Sequence, residues 1–138
     1  MIYKSMKISL VLLALFASIS AFAQQPTSPE EQERKLYDAI QEQVDRYAEN
    51  LGLDDWQIFY VDSILTHNVM AIQEEFSSMQ KAKVANPELY YDIQDKWNEE
   101  TYNSLQKILD EEQWVKYLKQ GAARDKKARD KRAAQKKK

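Results

Sequence analysis

Over residues 28–118, apolar residues recur mostly at steps of three and four, the spacing of one face of a helix. Two Gly and three Pro in 138 residues provide too few turn formers for an all-β fold of many short strands. We therefore predict an all-α protein. The apolar stripes are Leu36, Ile40, Val44, Tyr47 and Leu51 in the first helix, Val61, Leu65, Val69, Ile72, Phe76 and Met79 in the second, and Leu89, Ile93, Trp97, Leu105 and Ile108 in the third.

Four capping signals divide this pattern into four helices. Ser28 and Asn86 each precede a proline, which suits the first position of a helix. The other two signals share the frame Leu-Asp-x-x-Gln-apolar, in which Asp is the N-cap, Gln at N3 reaches back to it, and the apolar residues form a hydrophobic staple. The predicted helices are 29–50, 55–84, 87–108 and 111 to about 122, with the second and third forming a long antiparallel hairpin. The frame residues are Leu53, Asp54, Gln57 and Ile58 in the first copy and Leu109, Asp110, Gln113 and Trp114 in the second.

Residues 1–23 have the pattern of a cleaved signal peptide. Lys4 and Lys7 precede an apolar stretch over 8–22, and Ala21 and Ala23 form a small-residue cleavage site. The alternative is a membrane anchor, but about 20 unbroken apolar residues would be needed to span a bilayer. We predict export to a bacterial periplasm, where a chain without Cys needs no disulfide to be stable.

The formal net charge of −2 averages two regions of opposite sign. Residues 24–118, the predicted helical domain, hold 8 basic and 20 acidic residues, whereas the tail, 119–138, holds 10 basic and 2 acidic ones. We expect this tail to be partly helical or disordered, and to be solvated or to contact lipid head groups, other anionic envelope surfaces, acidic clients or the acidic domain itself. The tail has no apolar face, so we do not expect it to insert into a membrane. We also do not expect it to bind nucleic acid, which is absent from the periplasm. Its central basic residues are Lys126, Lys127, Arg129, Lys131 and Arg132.

A second set of apolar residues does not fit the narrow helical stripes. Either these residues close the core of a monomer, or they remain for a homodimer contact and a partner-facing surface. The candidates for a client-facing or dimer-facing role are Trp56, Phe59, Tyr60, Ile64, Tyr102, Trp114 and Tyr117.

The sequence offers little for catalysis. It has no Cys, no Gly-rich phosphate loop, and a single His, His67, with Met70 as its nearest sulfur-bearing neighbour. Adjacent glutamates such as Glu99 and Glu100 do not face each other on a helix, so they make poor catalytic pairs. We expect neither enzyme activity, nor a cofactor, nor a metal site.

The doubled Leu-Asp-x-x-Gln frame, within residues 50–119, resembles the LTxxQ motif of the Spy/CpxP family of periplasmic proteins. The resemblance implies a hook-like protomer of four helices and an elongated, cradle-shaped antiparallel dimer. It also implies an ATP-independent chaperone for unfolded envelope proteins, or a CpxP-like regulator that damps an envelope-stress sensor kinase. Asp54 and Asp110 stand where the family motif has Thr, and the acidic domain differs from a basic client surface.

Two functions follow as expectations. The first is an envelope-stress chaperone that binds unfolded or misfolded proteins through residues such as Phe59, Tyr60 and Tyr102. The second is an adaptor that binds one specific envelope partner, such as a sensor domain. A metal-binding relative would need more His or Cys than the single His67.

Overall fold

The computed structural model describes residues 28–138, so the predicted signal peptide, 1–23, lies outside the described residues. The prediction of an all-α fold is confirmed, because these residues form helices and no strand. None of the described helices is long and apolar enough to cross a membrane. The elements are α1 (Pro29–Leu51), α2 (Asp55–Lys81), α3 (Pro87–Ile108), α4 (Glu111–Tyr117), a π-helical turn (Leu118–Ala122) and α5 (Ala123–Lys136).

The first four α-helices begin at the residue after a capping side chain. Ser28 accepts a hydrogen bond from the Glu31 N–H at 3.2 Å, and Asn86 accepts one from the Glu88 N–H at 3.1 Å. Each cap satisfies an N–H that has no partner inside the helix. Local chemistry therefore determines where these helices start.

Helix α2 ends at Lys81, three residues before the end that we predicted. Lys83 adopts a left-handed conformation with φ 57°, and the Val84 N–H then bonds to the Met79 carbonyl at 2.9 Å. This is a Schellman-type closure, in which one left-handed residue satisfies the last free carbonyls. Gly52 closes α1 in the same left-handed region, at φ 64°.

We expected the helix that begins at Glu111 to end near residue 122. Instead, the helical chain continues to Lys136. It passes through the π-helical turn, where Gly121 has φ 123°. A residue with a Cβ rarely adopts that backbone conformation, so glycine permits the change of direction here. The basic tail thus forms a helix, α5, that turns back along α3.

The helices form two layers. Helices α2 and α3 run antiparallel, because contacts link early residues of one to late residues of the other: Asn68 bonds to Thr101, and Glu75 pairs with Lys96. Helix α1 lies on one side of α2, where Gln41 donates to Asp62 at 2.8 Å. Helix α5 lies along α3, as the ion pairs below show.

The main core lies at the end of the molecule where the two motif copies meet. All four of its largest fully buried side chains are aliphatic, so close packing of branched residues dominates its interior. The predicted apolar stripes supply most of it. The buried cluster comprises Ile40, Val44, Tyr47, Leu51, Val61, Leu65, Leu105, Leu109, Tyr117 and Ala122.

Candidate functional site

The two motif glutamines bond to each other across 56 residues of sequence. Gln57 Nε2 donates to Gln113 Oε1 at 2.6 Å, and Gln113 Nε2 donates to Gln57 Oε1 at 3.0 Å. Both side chains are buried, at 3% and 7% exposure. We call this reciprocal pair the glutamine clasp.

The remaining bonds of the clasp follow a pseudo-two-fold pattern. Each glutamine Oε1 accepts from the N–H of its own helix cap, Asp54 at 2.9 Å and Asp110 at 3.0 Å. Each Nε2 also donates to a carbonyl two residues before the other cap, Ile108 at 2.9 Å and Gly52 at 3.2 Å. All four amide N–H groups therefore have an acceptor and each oxygen accepts twice, which a buried primary amide requires.

The aspartates occupy the N-cap positions of α2 and α4. Asp110 Oδ1 also accepts from the Gln113 N–H at 2.8 Å, which completes a reciprocal capping box. Of the two leucines that precede them, Leu109 is buried and Leu53 is half-buried against the core. The clasp holds the two helix starts together, so the repeated frame has a direct tertiary role.

Outside the clasp, the two copies present different surfaces. After the first cap, Trp56 is 53% exposed, Phe59 67% and Tyr60 50%, and the Tyr60 ring contacts both of the others edge to face. The positions of the second copy that correspond to these three hold Glu112, Val115 and Lys116. Only the first copy carries an exposed aromatic patch, which we define as Trp56, Phe59 and Tyr60.

The other aromatic candidates lie inside. Tyr117 is buried, and Tyr102 and Trp114 are half-buried against it with centroids 6.4 and 5.4 Å away. Ile64 is also half-buried against the core. Tyr117 is thus part of the core and cannot contribute to an exposed surface.

Burial changes the acidity of the core phenols. It raises the pKa of Tyr47 to about 12, with a smaller opposing effect from the Gln43 side chain. Burial likewise raises the pKa of Tyr117, whose ring packs edge to face on Tyr47 at 5.8 Å. Both phenols stay protonated because the phenolate would lose its hydration.

Among residues 28–138, one face of the α2–α3 pair is not covered by the other helices. Tyr60 lies about 160° around α2 from Asp62, which contacts α1, at 100° per residue. Trp97 lies about 160° around α3 from Asp95 and Glu99, which contact α5, by the same spacing. The uncovered side of the two helices, which we call the open face, carries Trp56, Tyr60 and a groove.

The groove has a volume of about 610 Å³ and lies between α2 and α3. Trp97 contacts the His67 ring at 5.7 Å, and the Lys96 ammonium lies 5.0 Å from the Trp97 ring. Buried Trp97 Nε1 has no acceptor among residues 28–138. The aromatic patch leads into the groove, because Phe59, Ser63 and His67 follow at helical steps of four. Its lining is Ser63, Ile64, His67, Asn68, Lys96, Trp97, Glu100 and Ser104.

His67 is an exposed part of this groove. Its Nδ1 lies 3.0 Å from Asn68 Oδ1, and its ring contacts Trp97 rather than a carboxylate. Within the part of the chain that the structure describes, no group of three or more His, Cys, Asp or Glu side chains could hold a metal ion.

Helix α5 is attached to α3 by a row of ion pairs. Glu99 accepts from Lys126 at 2.6 Å and from Arg129 at 3.0 Å. Arg132 makes a bidentate contact with Asp95, at 2.7 and 2.8 Å. Lys136 pairs with Asp92 further along. We call Lys126, Arg129, Arg132 and Lys136 the inner row of α5.

The inner row changes the ionisation of its partners. Burial would raise the pKa of Glu99, but hydrogen bonds from Lys126 and Arg129 outweigh it and lower that pKa. Hydrogen bonds to Asp130 and Glu99 raise the pKa of Lys126. Lys126 and Arg129 also lie over the Tyr102 ring, at 5.7 and 5.6 Å. Of the tail residues singled out from the sequence, these two and Arg132 face α3, whereas Lys127 and Lys131 do not.

Comparison with known proteins adds no relative: no family model, no curated protein and no solved structure matches this chain. The functional argument therefore depends on the residues themselves.

The sequence analysis missed two features of this region, the bonds within the glutamine clasp and Trp97 as part of a groove. It named the acidic domain as one of several possible contacts of the tail, without the residues. A signal for those residues existed, because Asp92, Asp95 and Glu99 recur at steps of three and four along α3.

Proposed function

We propose that this chain is a secreted periplasmic protein of the Spy/CpxP type, which binds unfolded or misfolded envelope proteins without ATP. The observation that carries the proposal is the exposed aromatic patch of Trp56, Phe59 and Tyr60 beside the groove. Three adjacent aromatic side chains, each at least half exposed, are costly to leave in water unless a partner covers them.

The chemistry of the open face suits an unfolded chain. Exposed rings bind apolar side chains of many shapes, and the half-buried Trp97 ring extends the apolar surface into the groove. Lys96 and Glu100 on the rim provide charges of both signs. Contacts of this kind are individually weak, which favours binding and release without an energy source.

The proposal includes an elongated antiparallel homodimer of hook-like protomers. It is supported by the α2–α3 pair, whose exposed apolar side chains, such as Trp56 and Phe59, are not covered by the other helices of the same chain. A solution mass of two chains together with small-angle scattering of an extended particle is the expected result. A compact monomer would remove this part of the proposal.

The test of the proposal is suppression of aggregation of a chemically unfolded client, followed by light scattering. The variant Trp56→Ser, Phe59→Ser, Tyr60→Ser should lose most of the suppression. The matched control changes the corresponding positions of the second copy, Glu112→Ser, Val115→Ser and Lys116→Ser, and should retain it. No suppression by the unmodified chain at several-fold excess would refute the chaperone proposal, and capture of a single envelope protein would indicate the adaptor function instead.

A further inference from the structure

The cations of α5 and its C-terminal end fall into two groups that face opposite ways. Residues 123–138 hold nine Lys and Arg and only two Asp. The inner row uses four of these cations to contact Asp92, Asp95 and Glu99. Docking on the acidic side of α3 therefore accounts for less than half of the positive charge.

A second row lies on the outer side of the helix. Lys127 and Lys131 are each about 160° around α5 from Arg129, at 100° per residue, and Lys138 follows two residues after the helix end. All three are exposed, and none has an ion pair within residues 28–138. We call Lys127, Lys131 and Lys138 the outer row.

The two carboxylates of α5 leave the outer row uncompensated. Asp130 pairs with Lys126, on the inner row, and Asp125 pairs with Arg124. The acids of α3 lie on the far side of the helix, about 10 Å away across its diameter. That distance exceeds the Debye length of about 8 Å at physiological ionic strength, so those acids neutralise the outer row only weakly.

We propose that the outer row of α5 is an attachment strip for the surface of an anionic phospholipid bilayer. A flat array of phosphates can meet Lys127, Lys131 and Lys138 at once while α5 remains on α3. A flexible soluble polyanion gains most where it can surround a basic helix, and here α3 covers one side. The outer row holds no large apolar side chain, so contact is peripheral and without insertion.

The expected binding is weak and depends on salt. Each lysine near an anionic membrane contributes about a fivefold increase in affinity. The lysine-to-glutamine change at all three outer positions should therefore weaken binding about 100-fold. The strip is separate from the aromatic patch, so it can exist whether or not the chain binds unfolded clients.

The test is co-sedimentation of residues 24–138 with vesicles of phosphatidylcholine containing 30% phosphatidylglycerol, because the apolar stretch 8–22 would itself partition into lipid. The unmodified protein should bind in 20 mM NaCl, should be released by 300 mM NaCl, and should not bind pure phosphatidylcholine. Lys127→Gln, Lys131→Gln, Lys138→Gln should abolish binding and keep the far-ultraviolet circular dichroism spectrum unchanged.

The control variant Lys81→Gln, Lys83→Gln, Lys107→Gln removes the same charge from exposed positions outside α5 and should bind like the unmodified protein. Equal loss in both variants would show a net-charge effect and overturn the proposal. Binding to pure phosphatidylcholine, or no binding to anionic vesicles in 20 mM NaCl, would also overturn it. So would binding of soluble heparin through the outer row in place of vesicles.

Discussion

The two copies of the Leu-Asp-x-x-Gln frame are equivalent inside the molecule and different outside it. Inside, Gln57 and Gln113 make the same set of bonds in mirrored order. Outside, the first copy presents Trp56, Phe59 and Tyr60, whereas the second presents two charged residues and a valine. The shared positions maintain the fold, so we infer that the positions that differ are those available for function.

The helices that follow the two copies also differ. Helix α2 packs through apolar residues along most of its length, as Ile72 and Phe76 show at its far end. The helix that follows the second copy packs through Tyr117 for two turns. As α5 it is then held by ion pairs and by the contacts of Lys126 and Arg129 with the Tyr102 ring. Apolar packing is insensitive to salt, whereas exposed ion pairs are screened.

The two copies should differ most in the free energy of unfolding that is lost when the core residue four positions after each glutamine is replaced by alanine. Tyr117→Ala should lower the free energy of unfolding by about 4 kcal/mol, because the ring fills space between Tyr47, Tyr102 and Trp114. Val61→Ala should lower it by about 2 kcal/mol, since fewer atoms are removed. Urea unfolding measured by circular dichroism gives both values; equal losses would contradict the view that the second copy carries the aromatic core.

The two glutamines of the clasp should contribute equally to the free energy of unfolding. Gln57→Ala and Gln113→Ala should each lower the free energy of unfolding by about 3 kcal/mol, since each leaves buried partners without a bond. The double variant should lose at least about 1 kcal/mol less than the sum, because each single change already breaks the shared bonds. Additive losses in the same urea experiment would show that the two glutamines act independently.

Alkaline pH should weaken the aromatic side of the core. Burial raises the pKa of Tyr47 from 10.0 to about 12 in the folded protein. The stability that this protonated phenol contributes is complete below pH 10 and falls by about 2 kcal/mol as the pH rises through 12. Tyr47→Phe should reduce the loss of stability between pH 10 and 12, whereas Tyr91→Phe, at an exposed position, should not.

A smaller effect is expected where α5 meets α3. Glu99→Gln removes the partner of Lys126 and Arg129 and should lower the free energy of unfolding by about 1 kcal/mol. Amide hydrogen exchange in 123–136 should accelerate, and Glu75→Gln, which breaks an ion pair away from α5, should leave it unchanged. Because the pKa of Glu99 is lowered from its ordinary value of 4.5, the contribution of its ion pairs is complete above 4.5 and is lost as the pH falls through the lowered pKa. Slow exchange in α5 in spite of the variant would show that other contacts hold it.

The helix starts could be predicted from the sequence because a cap is local: Ser28, Asp54, Asn86 and Asp110 act on N–H groups within three residues. The bonds of the clasp could not, since they join side chains that only tertiary packing brings together. The repeat of Gln at the same helix position was the available signal.

The state of the tail stayed open between partly helical and disordered for the same physical reason, with the acidic domain as one of its possible contacts. Residues 123–136 have almost no apolar side chains, so periodicity predicts no packed helix there. Their order comes from acids 27 to 44 positions away in sequence, on α3. Gly121 marks the turn, but a single glycine did not indicate its direction.

The most direct test of the functional difference between the two copies is nuclear magnetic resonance of the ¹⁵N-labelled chain titrated with an unfolded client. We expect the amide and indole signals of Trp56, Phe59, Tyr60, His67 and Trp97 to shift or broaden. Those of Glu112, Val115 and Lys116 should remain unchanged. Equal changes at both copies, or changes confined to the second copy, would contradict the assignment of function to the aromatic patch and the open face.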